Sequence, residues 1–180
     1  MIYQIKVDLT EHKGVSRTIE VSSDVKFHQL NRYLCDVFGR NDPHHLYRFY
    51  FPGKKTQSMY KIINSPLIIE HPDQSSEPIE DIHDMDINMM MSQLAPGLNV
   101  PPEIARGFLQ MLEDQAPPQE FKKGNKTTIG DLCLKEGDQF HLEFDMITEW
   151  WHTLTVQKID ERSKEKKVMR LVKSKGEAPP

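Results

Sequence analysis

Three patterns predict an α+β fold for this chain: a β-grasp-like (ubiquitin-like) roll whose mixed sheet packs on one main helix, with a helical acidic insertion. Two alternating segments open the chain and read as a β-hairpin. A helical apolar stripe follows at once. Residues 127–159 (TTIGDLCLKEGDQFHLEFDMITEWWHTLTVQKI) then read as a helical turn, a strand, a tight reversal and a second strand. Hairpin, helix, strand, insertion, helical turn, strand and strand is the element order of such a roll, although fold alone does not fix function.

Residues 2–9 (IYQIKVDL) set Tyr3, Ile5, Val7 and Leu9 against Ile2, Gln4, Lys6 and Asp8, the pattern of a strand with one apolar face. A polar turn at 11–14 leads to Val15, Ile19 and Val21 in a second strand, with Gly14 permitting the reversal. Ser22, Ser23 and Asp24 offer an N-cap, and Phe27, Leu30, Leu34, Val37 and Phe38 recur at helical spacing. The main helix is therefore expected over 24–38, closed by Gly39. Cys35 lies near its apolar stripe and reads as core. After a turn at 41–43, HLYRFYF (45–51) reads as a strand with His45, Tyr47, Phe49 and Phe51 on one side. A loop at 52–58 precedes IINSPLIIE, a short strand interrupted at Pro66.

From Glu70 to Glu120 the composition changes: eleven acidic residues stand against one basic, Arg106. Two amphipathic helices fit here. Residues 80–94 carry Ile82, Met85, Met89 and Met90 at helical spacing, and residues 102–114 carry Ile104, Phe108, Met111 and Leu112. Gly107 weakens the second by about 1 kcal/mol relative to Ala. The domain reading is one α+β domain from 1–69 and 121–175, a helical acidic insertion over 70–120 and a tail at 176–180.

After a basic link, FKKGNK, the central hairpin alternates Phe140, Leu142, Phe144 and Met146 with His141, Glu143 and Asp145. In its second strand Trp150, His152, Leu154 and Val156 share one face, and Trp151, Thr153, Thr155 and Gln157 the other. The closing segment is strongly basic, and Val168, Arg170 and Val172 oppose Met169 and Leu171 in a last short strand.

A net charge of -4 gives no general attraction to nucleic acid or to anionic membranes. No apolar run approaches the ~20 residues that span a bilayer, and a strand pattern occupies the N-terminus in place of a signal peptide. Cys35 and Cys133 form no CxxC and no disulfide framework. The expected compartment is the reducing cytoplasm.

The segments DPHHLYRF (42–49) and FDMITEWWHTLTV (144–156), joined by TIGDL, resemble a known family. It is the Ri-plasmid open-reading-frame-three-like family, whose members also occur as passenger proteins of insertion elements. Its hallmark is a strand ending in Tyr-Asp-Phe-Gly-Asp, then a Trp with a His two residues on, preceded by a His-Leu-x-x-Phe strand. Phe144, Asp145, Trp150 and His152 keep that hairpin pattern, as do His45, Leu46 and Phe49. Phe144 replaces the Tyr, Met146 the Phe, and Ile147-Thr148 the Gly-Asp; the terminal GEAPP is similar to the start of the family's Pro-Pro tail. The resemblance implies an α+β fold and a plasmid or mobile-element setting, with no established biochemical activity. The missing Gly-Asp counts against any activity that needs the second acid.

Two function classes fit these residues. In the first, the chain is a non-enzymatic protein-interaction module. Met89, Met90, Phe108 and Met111 then form an adaptable binding face on the acidic insertion, for an unidentified basic protein or for self-association. In the second, it is a small hydrolase or nucleic-acid-processing accessory, with Asp145, His152 and His45 as acid–base or metal-holding groups. The pattern favours the first. His152 shares a face with Leu154 and Val156, as a buried histidine does whose second nitrogen meets a carboxylate or carbonyl. No HExxH, CxxC, nucleophile elbow, P-loop or dinucleotide fingerprint is present, so no metal and no cofactor are expected. Nucleic acid is an unfavourable partner for the acidic insertion. The basic C-terminal segment carries interspersed Glu161 and Glu165, lacks aromatic interleaving and reads as a solvated strand or a frayed end. Whether His45, Asp145 and His152 meet around a cavity separates the two classes.

Overall fold

The computed structural model describes residues 1–40, 45–74, 118–144 and 150–178. The chain divides into two units, Met1–Gln74 with Gln119–Pro180, and Ser75–Pro118. The helices expected over 80–94 and 102–114, with Met89, Met90, Phe108 and Met111, lie outside the described residues.

The first unit is α+β. In chain order it contains β1 (Ile2–Leu9), β2 (Ser16–Ser22), α1 (Phe27–Val37), β3 (Tyr47–Phe51), the short α2 (Met59–Ile63) and β4 (Leu67–Glu70). There follow β5 (Glu120–Lys123), a 3-10 turn (Gly130–Leu132), β6 (Gln139–Phe144), β7 (Trp150–Asp160) and β8 (Met169–Lys175). Eight strands form one mixed sheet in the order β5-β4-β3-β6-β7-β1-β2-β8. Among the described strands only β4 and β5 pair in parallel. Both hairpins that the alternation predicts are present: Ile5 lies opposite Ile19 in the first, Phe140 opposite Leu154 in the second. β1 and β7 join the two, with Val7 opposite Leu154 and Leu9 opposite His152.

Successive strand residues point to opposite faces, and one face meets α1. Tyr3, Ile5, Val7, Ile19, Phe49, Phe140 and Leu154 are buried there against Phe27, Leu30 and Leu34 of the helix. Phe27 is the centre of this layer. Its ring contacts Phe49, Phe51 and Phe140 edge-on, at centroid distances of 5.1, 5.7 and 6.4 Å. Such edge-to-face pairs add to the energy of area burial alone.

The helix begins at Phe27, later than Asp24 predicts, because that carboxylate is engaged elsewhere. Ser22 Oγ donates to Asp24 Oδ1 at 2.6 Å, and the Lys167 N–H donates to the same oxygen at 3.0 Å. The orphan first-turn donors are met from far along the chain: the N–H groups of Phe27 and His28 donate to the carbonyls of Thr127 and Gly124, both at 3.0 Å. The C-terminus follows expectation. Gly39, at φ +72°, and Arg40 donate to the carbonyls of Asp36 and Cys35 at 3.2 and 2.8 Å, completing a Schellman motif. Arg17 reinforces it, its Nε donating to the Val37 carbonyl at 2.9 Å, where the helix dipole favours a cation.

Two segments depart from expectation. Within IINSPLIIE the first residues belong to α2, not to a strand. Asn64 Nδ2 donates to the Tyr60 carbonyl at 2.9 Å and Ser65 Oγ to the Ile62 carbonyl at 2.6 Å, which closes a helical turn before Pro66. FKKGNK, read as a link, supplies most of β5. It runs beside β4, with Ile68 opposite Phe121. No helix among the described residues is long and apolar enough to cross a membrane.

Candidate functional site

The turn end of the β6–β7 hairpin gathers the residues that the sequence singles out. Phe144 ends β6 opposite Trp150, which opens β7; Asp145 follows Phe144 and lies outside the described residues. His45 meets Phe144 edge-on at 5.9 Å. Trp150 carries the Arg40 guanidinium 3.2 Å above its ring, and His12 stacks on it at 5.7 Å. His152 points inward against Phe38, with ring centroids 4.9 Å apart. The hairpin therefore brings Phe144, Trp150 and His152 to one end of the sheet, with His45 beside Phe144.

His152 is 3% exposed. Burial pushes its pKa down to about 4; the nearby Arg40 charge acts the same way, and the carbonyls of Trp150 and Leu142 oppose. At neutral pH the imidazole is uncharged. Its Nδ1 has no hydrogen-bond partner, while the carbonyls of Trp150 and Leu142 meet the ring. That side chain lines a cavity of about 10 Å³, together with Asn31, Cys35 and Arg40. Among the described residues no three His, Cys, Asp or Glu side chains cluster in a way that could hold a metal.

The opposite face of the same strands holds a polar network that sequence reasoning missed. Lys123, Glu70, Arg48, Glu143 and Trp151 stand side by side across five strands. Lys123 Nζ lies 2.8 Å from Glu70 Oε1, and Arg48 Nε lies 3.9 Å from Glu70 Oε2. In the adjoining row Tyr50 Oη donates to Glu143 Oε2 at 2.6 Å, and His141 Nδ1 lies 3.3 Å from Thr153 Oγ1. Arg48, Glu70, Tyr50, His141, Glu143 and Thr153 are all buried. Ile62 of α2 packs with Tyr50, Ile68 and Trp151 on this side.

Burial, helped by the Glu143 charge, raises the Tyr50 pKa well above its ordinary value. Burial alone lowers that of His141 to about 4. Tyr50 and His141 are thus neutral, and in the adjacent row Glu70 pairs with Lys123 and Arg48. Removing one member of such a buried set costs more than the pair contributes, so the network fixes how β3, β4, β6 and β7 sit together. Neither histidine titrates near neutrality, where a general acid or base works best. The available signal was an Arg-x-Tyr on β3 facing a His-x-Glu on β6. Alternation assigns those residues to one face without saying what covers it.

Cys133, at φ +49°, is exposed in an open groove of about 560 Å³ with Tyr3, Lys135, Glu136 and Glu161. Among the described residues no histidine lines that groove.

The family model described as plasmid pRiA4b ORF-3-like protein matches residues 1–180. The chain is also similar to a solved structure, a protein of unknown function, MM3350, from Methanosarcina mazei Go1. The two share 13% identity and a TM-score of 0.58 over 99% of this chain and 71% of that one. At this identity the likeness concerns the fold. Among curated proteins none matches.

Proposed function

We propose, for a chain that belongs to the plasmid pRiA4b ORF-3-like family, that it is a non-enzymatic protein-interaction module whose contact element is the basic strand β8. In this reading the roll is β-grasp-like and extended at its edges. The setting is a mobile element, and the compartment is the cytoplasm, which suits two cysteines, Cys35 and Cys133, that form no disulfide.

The observation that carries the reading is the position of β8. It ends the sheet, so no described strand pairs with its outer edge. Residues 162–175 hold seven basic side chains against one acid, Glu165. Arg170 pairs with Glu20 at 2.6 Å and with Glu165 at 3.3 Å, while Lys173 and Lys175 are exposed. Leu171 and Val172, 45% and 50% exposed, supply apolar contact. Lysines along an edge repel another copy of the same edge and attract an acidic segment of a second chain. The sequence contains such a segment in residues 70–120, with eleven acids against one base. The partner is a second copy of the chain, its acidic insertion laid on the basic edge of its neighbour. Met89, Met90, Phe108 and Met111 add soft apolar contact in that arrangement. The alternative, catalysis by His45, Asp145 and His152, needs a histidine that a substrate can reach. His152 is sealed by Phe38 and uncharged at neutral pH.

Sedimentation velocity tests the proposal. At about 50 mM salt the chain sediments as a dimer or larger, and at about 500 mM salt, where surface charges are screened, as a monomer. Replacing Lys164, Lys166, Lys167, Lys173 and Lys175 by Glu keeps it monomeric at both. A parent chain that stays monomeric at low salt, or a variant that associates as the parent does, overturns the proposal.

A further inference from the structure

We propose that the cavity between α1 and the β6–β7 hairpin is a binding site for one water molecule, held by Asn31, Arg40 and His152, and that holding it is the task of His152 in this fold. This inference is independent of the association through β8. Among the described residues the cavity, about 10 Å³, is lined by Asn31, Arg40 and His152, with Leu34, Phe38 and Leu142 in its apolar wall. That volume suits about one water-sized sphere and nothing larger. Asn31 is fully buried, and neither atom of its amide has a hydrogen-bond partner. His152 Nδ1 has none, and neither have Nε and Nη2 of Arg40. Native structures satisfy nearly all such groups, so five of them around one small void point to a bound molecule that serves them.

The mixture of donors and acceptors identifies it. His152 is neutral, and the carbonyls of Trp150 and Leu142 meet its ring. Since Nδ1 has no partner, those carbonyls face Nε2, which carries the proton, and Nδ1 presents a lone pair to the cavity. Asn31 offers one acceptor and one donor, whichever way its amide is turned. Arg40 offers donors alone, and its Nε and Nη2 share one edge of the guanidinium, where a single oxygen faces both. A water gives its two hydrogens to His152 Nδ1 and to the Asn31 oxygen, and its own oxygen accepts from the Arg40 edge. An anion has no hydrogen for Nδ1, and a cation meets the charge of Arg40. The bound water thereby joins α1, the turn that follows it and β7. One such molecule does not bring in the dielectric of bulk solvent, so the imidazole stays uncharged at neutral pH.

A high-resolution crystal structure of the full chain should show one fully occupied oxygen within about 3.2 Å of both His152 Nδ1 and the Asn31 amide. In solution the side-chain amide hydrogens of Asn31 should give cross-relaxation peaks to water, of the sign that marks a slowly exchanging bound molecule. The imidazole nitrogen shifts of His152 should place its proton on Nε2 at neutral pH. His152→Leu removes the acceptor and should lose both the oxygen and the cross-peaks. Asn31→Leu, a second variant in case the first fails to fold, should lose the oxygen too. No oxygen at that position in the parent, a proton on Nδ1 at neutral pH, or Asn31 cross-peaks that survive His152→Leu unchanged overturns the proposal.

Discussion

Acidifying the protein from about pH 7 to about pH 4 in halide-free buffer removes about 3 kcal/mol of stability through His152 alone. Its folded pKa is held at about 4 by burial, whereas an unfolded chain titrates near 6.5. As pH falls below 6.5 the unfolded state binds a proton that the folded state refuses. The stability is therefore complete above 6.5 and is lost progressively as pH falls towards 4. The interval of about 2.5 pH units at about 1.4 kcal/mol per unit gives the magnitude. His141, also held at about 4, and His28, lowered by burial and by the charge of His71, act in the same direction. Urea unfolding followed at several pH values measures the loss. The transition midpoint should slide downward across this window in the parent and less steeply in His152→Leu. A midpoint unchanged between pH 6.5 and 4.5 would mean that His152 is reached by water.

Phe27→Ala should cost about 3–5 kcal/mol, the range for emptying a fully buried aromatic site. The ring is completely buried and stands among Phe49, Phe51 and Phe140. Those neighbours belong to β3 and β6, whose backbones are paired directly to each other, so they cannot close into the space. The truncation therefore leaves a cavity as well as losing apolar burial. Leu34→Ala, further along the same helix face and also buried, should cost less within a range of about 2–5 kcal/mol. Equilibrium unfolding in urea checks both. A Phe27→Ala protein within about 1 kcal/mol of the parent would mean that α1 does not cover the sheet as described.

The covered face of the sheet was legible because its signals are local. The stripe of Phe27, Leu30 and Leu34, the parity of the two hairpins and the stop at Gly39 each depend on residues a few positions apart. The start of α1 was not legible, since it turns on Asp24 being taken by the Lys167 N–H, 143 residues away along the chain. β5 was hidden for a related reason: four residues with no apolar alternation become a strand only beside β4, across the whole insertion. At the hairpin, parity placed His152 on the inner face, yet it could not say that Nδ1 would end without a partner. The row from Lys123 to Trp151 was out of reach as well. Alternation gave Arg48, Tyr50, His141 and Glu143 a common face, and only the sheet order makes them neighbours.

Amide hydrogen exchange along β8 tests the central claim, association through the basic edge strand, most directly. At about 50 mM salt, where the chain is associated, the amides of Met169–Lys175 should exchange at least about tenfold more slowly than at about 500 mM salt. Those of β1 and β7, which lie inside the sheet, should exchange at the same rate in both. Equal exchange of the β8 amides at the two salt concentrations, with association still visible at the lower one, would place the contact elsewhere and contradict the account.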